Sequence, residues 1–111
     1  ESRQSMSANY QVTPEAEADL IEIWKYSAGE FGERQADRYL AQIEADVEQL
    51  AEGMLAGGVC TRLIPDAAPD LRYWKSGQHY LVFRHPDGKP LELLTVIHSR
   101  SQSRLESYFN G

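Results

Sequence analysis

The sequence predicts an α+β domain in which a two-helix hairpin covers one face of a small antiparallel β-meander. Two observations carry this. From Thr13 to Ala51 the apolar residues recur at spacings of three and four, broken only near Gly32. After Gly58 the pattern changes to short apolar runs separated by turn signals. With 111 residues, the chain is long enough for one such domain and too short for two.

Tyr10 to Thr13 is a short β-prone run. Thr13-Pro14-Glu15 then reads as a helix start. Thr13 can cap free N–H groups, Pro14 suits the first helical position, and Glu15 and Glu17 favour the positive end of the dipole. Leu20, Ile23, Trp24, Ser27, Ala28 and Phe31 form the apolar stripe, and Gly32 is the expected stop. A second helix follows at once, with Ala36, Tyr39, Leu40, Ile43, Val47, Leu50 and Ala51 as its stripe. So short a break implies two antiparallel helices side by side. Glu44, Asp46, Glu48 and Glu52 fall mostly off that stripe and read as a solvated face.

Thr61 to Ile64 is a short strand candidate, followed by a loop from Pro65 to Pro69. Leu71–Ser76, His79–His85 and Leu91–His98 are the three strands of the meander, joined by Gly77-Gln78 and by PDGKP. Their nearly continuous apolar character requires cover on both faces. The helical hairpin supplies one cover, leaving the other face for a partner. Residues 1–9 read as a flexible leader or a cloning remnant, with Met6 a native start, and 10–111 as the domain. The tail from Gln102 to Phe109 is expected to form a last helical turn.

The net charge is −6, unevenly spread. Residues 1–58 hold four Lys/Arg and twelve Asp/Glu, whereas residues 59–111 hold seven and five. The first half repels phosphate backbones and suits a basic partner. No run is long and apolar enough to span a membrane. The one cysteine, Cys60, excludes an internal disulfide, fits a reducing cytoplasm, and reads as a small half-buried apolar residue.

The chain resembles the ParE toxins of the ParE/RelE superfamily. The resemblance starts at YQVTPEAEADLIEIWKYSAGEFGERQADRYLAQIEADVEQLAE, with its Thr-Pro start, its Ala-x-x-Asp-Leu-x-x-Ile-Trp-x-Tyr helix and its Phe-Gly break. It continues through LRYWKSGQHYLVFR and the closing LLTVIHSR, so that it spans Tyr10 to Arg104. What it implies is a β-α-α-β-β-β fold and the toxin of a bacterial type II toxin–antitoxin pair. Such a toxin causes growth arrest and stabilises plasmids. ParE members typically poison DNA gyrase, RelE relatives cut messenger RNA on the ribosome, and a ParD-like antitoxin holds a ParE toxin inactive. The resemblance leaves open a homodimer or a hetero-oligomer with the antitoxin.

His98, Ser99 and Arg100 are residue types that do chemistry, but neighbours on a strand point to opposite faces. His98 is therefore badly placed to activate Ser99. His79 and His85 lie roughly 20 Å apart along one strand, too far to share an ion, so no metal or other cofactor is expected. An RNase would need cations and proton donors: Arg72, Lys75, Arg84 and Arg100 as the former, His98 or Tyr80 as the latter. Arg72 and Arg84 would have to meet across the hairpin. The sheet half is only mildly positive, which disfavours a grip on RNA. An acidic protein can still hold a local basic cleft, so a ribosome-dependent RNase of the RelE type stays the alternative. No sequence-specific nucleic-acid binding is expected. A gyrase blocker needs a shaped surface and no catalysis. Its expected contacts are Arg72, Trp74, His98, Arg100, Arg104 and Tyr108, with Trp74 equally readable as a core ring. The expected antitoxin contacts are Trp24, Tyr26, Phe31 and Tyr39, of which Tyr26 falls off the helical stripe. A degraded toxin that only binds is the third class.

Overall fold

The computed structural model describes residues 9–101. The helical hairpin lies where the periodicity places it. Strand β1 (Tyr10–Val12) leads into α1 (Pro14–Phe31), and the Thr13 hydroxyl accepts the Ala16 N–H at 3.2 Å. Gly32 alone separates α1 from α2 (Glu33–Ala51). Its φ of 94° is open to glycine and strained for other residues, which lets the chain reverse in one step. Gly32 N–H closes α1 on the Ala28 carbonyl, and its own carbonyl accepts from Ala36 to open α2.

The sheet has five strands in the order β1-β5-β4-β3-β2. Strands β3 (Arg72–Ser76), β4 (His79–Arg84) and β5 (Leu91–His98) form the expected antiparallel meander. Two edges extend it. The two-residue β2 (Gly58–Val59) pairs with β3, and β1 runs parallel to β5. The ladder slips by one residue between Val82 and Phe83, leaving Leu94 of β5 as the extra residue of a bulge. Thr13 reads that bulge directly: its hydroxyl donates to the Leu94 carbonyl at 2.9 Å.

Two expectations are corrected. Cys60–Arg62 is a 3-10 turn and not a strand, because the Cys60 carbonyl captures the N–H groups of both Leu63 and Ile64. The second sheet face is not open. The segment from Cys60 to Leu71 folds over it, and Cys60, Ile64, Ala67 and Leu71 pack on Val82 and Ile97. The other face meets the helices through Leu81, Phe83, Leu93 and Val96, against Ala16, Ile23, Ile43, Val47 and Leu50. Each large side chain so buried contributes about 1.5–3 kcal/mol. Cys60 is wholly buried, and burial pushes its thiol up to about 11, so it is inert. No helix among the described residues is long and apolar enough to cross a membrane.

Candidate functional site

Where the helical hairpin overhangs the ends of β4 and β5, the chain leaves a groove of about 750 Å³. Its α1 wall follows from helical spacing. Asp19, Glu22, Ile23 and Tyr26 stand three and four apart, so they share one face. Phe31 closes that wall, and Tyr26 and Phe31 are each 67% exposed. The two rings add exposed apolar area to the groove's rim.

The floor comes from strand register. His79 and His98 are direct partners across β4 and β5, and their rings meet edge to face with centroids 4.9 Å apart. Tyr39 of α2 reaches over the β3–β4 turn. Its hydroxyl accepts the Gln78 N–H at 2.8 Å and lies 2.7 Å from His79 Nδ1. The hydroxyl proton has a better acceptor in that nitrogen than in the Ser76 carbonyl at 3.4 Å, which makes His79 the Nε2–H tautomer. His98 Nδ1 accepts the Arg100 N–H at 3.0 Å, so neutral His98 also carries its proton on Nε2.

Asp19 fixes the wall to the floor. Its Oδ2 accepts from Thr95 Oγ1 at 2.7 Å and from the Val96 N–H at 3.0 Å. Burial above all, and His98 beside it, push the His79 imidazole down to about 4 against the opposing Asp19. Burial also raises the Tyr39 phenol, against the Gln78 N–H. His79 is thus neutral near pH 7, and its low proton affinity makes it a weak base there. Among the described residues, no cysteine, Lys or Arg lines the groove. What it offers is a shaped, partly aromatic surface, acidic along one wall.

The His79 shift has a measurable consequence. An ordinary histidine titrates at 6.5, so between pH 6.5 and 4 the unfolded chain binds a proton that the folded chain refuses. Stability therefore falls as pH drops through that window. Solvent screening at this half-buried ring holds the loss to about 1–2 kcal/mol. A His79→Gln variant should show a flatter stability–pH slope over that range in urea titrations. A slope identical to wild type would assign the effect to the carboxylates instead.

Of the residues singled out in the sequence, Tyr26, Phe31, Tyr39 and His98 come together at the groove. Two surfaces that the sequence kept apart thus meet in one place. Trp24 sits elsewhere: its indole Nε1–H donates to Asp37 at 2.8 Å and ties α1 to α2. Trp74 is half-buried against the helix-side core. Arg72 reaches the Ala56 carbonyl at 3.4 Å, and Arg100 is exposed beyond β5. Arg104, Tyr108 and the expected tail helix lie outside the described residues.

The meeting of Arg72 and Arg84 does not occur. Arg72 is opposite Phe83, so Arg84 points to the other face, where it pairs with Asp70. Lys75 is opposite Tyr80, whose ring packs edge-on against Tyr73 on that same far side. The sequence reading missed Asp19, Glu22 and His79 as groove residues. Asp19 carried a signal: it is a carboxylate three residues after Ala16 and four before Ile23, both buried.

The family profile described as ParE toxin of type II toxin-antitoxin system, parDE, matches residues 10–103. This chain belongs to the ParE toxin family. Toxin ParE of Escherichia coli is 33% identical over 91 residues, covering 82% of this chain and 84% of that protein. Toxin ParE1 of Mycobacterium tuberculosis is 28% identical over 95 residues, 86% of this chain and 93% of its own length. Among solved structures, a chain of the chromosomal ParDE TA system from P. aeruginosa superposes with a TM-score of 0.65 at 22% identity. The match covers 85% of this chain and 96% of that one, and shows that the fold is shared. The chain is thus a ParE-type toxin of a toxin–antitoxin system.

Proposed function

We propose that this ParE-family toxin arrests growth by binding DNA gyrase and trapping its cleaved-DNA state, without catalysis of its own. A ParD-like antitoxin neutralises it by covering the groove. The observation that carries this is the groove itself: exposed Tyr26 and Phe31 over a pinned histidine pair, with no activated nucleophile and no converging cations among the described residues. Such a site binds; it has no means to hold and break a phosphodiester.

Three measurements test the proposal. Purified toxin should inhibit supercoiling and accumulate cleaved DNA; normal gyrase activity at large excess of folded protein rejects the target. Tyr26→Ala should weaken antitoxin binding by about tenfold or more, the scale of an aromatic anchor, with an unchanged melting temperature. Full affinity in that variant would move the antitoxin away from the groove. Cleavage of ribosome-bound transcripts by the isolated chain would overturn the non-catalytic mode altogether.

A further inference from the structure

The groove has a charge signature as well as a shape. Asp19 and Glu22 stand on its α1 wall, and no Lys or Arg is among the described residues that line it. The two helices that overhang it carry ten Asp/Glu against three Lys/Arg. A cleft walled by one sign of charge concentrates that potential at its mouth. His79 on the floor does not offset it, since its imidazole stays neutral near pH 7. An acidic segment entering here would meet like charge, and a wholly apolar one would strip water from Glu22 with nothing in return.

We propose that the groove takes a basic amphipathic helix of the partner protein, which sets an apolar or aromatic side chain between Tyr26 and Phe31 and a lysine or arginine against Glu22. This rests on the groove being the antitoxin-covered surface and states the chemistry of what covers it. The spacing along the wall suits a helix. Glu22 and Tyr26 are four residues apart, one turn along α1, so charge and anchor in a matching helix also stand one turn apart. The Asp19 carboxylate is held by Thr95 and Val96, and adds its field without having to move. A second copy of this chain is a poor occupant, because it would bring its own acidic hairpin against this one.

Two designed peptides test the proposal on the full chain, each about 20 residues long and helical. They share a Leu/Phe face; one carries lysines on its flanks and the other glutamates. In calorimetric titrations at about 0.05 M salt the lysine peptide should bind at least tenfold tighter, and the gap should shrink at about 0.5 M. Glu22→Lys should cost the lysine peptide about tenfold or more. Glu44→Lys, an exposed change on α2 outside the groove lining, should cost it little. Thermal melts establish that both variants are folded. Equal or tighter binding of the glutamate peptide, failure of both peptides to bind, or wild-type affinity in folded Glu22→Lys would each overturn the proposal. So would a dimer in sedimentation that Tyr26→Ala dissolves, which would give the groove to a second copy. The supercoiling assay is independent. Its failure removes the gyrase target and leaves the peptide result standing, whereas failure of the peptides leaves gyrase inhibition untouched.

Discussion

Replacing Asp19 by alanine is expected to lower folding stability by about 2–4 kcal/mol, a large effect for one polar residue at a helix surface. The carboxylate accepts from two groups of the bulged strand, Thr95 Oγ1 and the Val96 N–H. Thr95 is fully buried and Val96 only 2% exposed, so water cannot readily replace the lost acceptor. Two donors are then left unsatisfied where α1 meets β5. Asp19→Asn, which keeps an acceptor oxygen, should recover about half of the loss. Urea titration of the three proteins at neutral pH checks this. A loss below about 0.5 kcal/mol for Asp19→Ala would mean that the bulge resatisfies itself, and that Asp19 does not hold the groove wall.

The second large effect is expected at the β3–β4 turn. Gly77 has a φ of 60°, the left-handed region at the first position of a two-residue turn. A Cβ there would lie 2.6 Å from the Tyr39 ring. Gly77→Ala therefore costs about 1 kcal/mol in backbone strain. It also displaces a ring whose hydroxyl holds the Gln78 N–H, for about 2–4 kcal/mol in all. In a Tyr39→Ala background the ring is gone, and only the backbone part should remain. The double-mutant cycle thus reads the contact directly, and additive losses would show that the ring yields freely.

The parts of this fold that were legible are those written locally. Thr13-Pro14 starts α1 and Gly32 ends it, because capping and left-handed glycine geometry act within one turn. Tyr26 was legible as a side chain off the stripe, and it is exposed. What the sequence hid depends on distant partners. Thr61–Ile64 has strand-like residues, yet the preceding residue is captured by Leu71, its N–H donating to that carbonyl at 2.9 Å, and the chain winds instead. Three residues of β1 gave no sign that they would run parallel to Leu91–Leu93. The pairing of His79 with His98 hangs on a register set partly by the Leu94 bulge, which no glycine announces. With that register unknown, His98 could be assigned only to the sheet, and not to the aromatic wall that it faces.

The groove is pinned on every side: α1 by Thr13 and Asp19, α2 by Tyr39, and the helices to each other through the single residue Gly32. Such a receptor has little freedom left to lose when it is filled, so the entropy of association falls almost entirely on the guest. With the antitoxin as the proposed guest, insulation between neighbouring toxin–antitoxin pairs is then written into the guest's side chains.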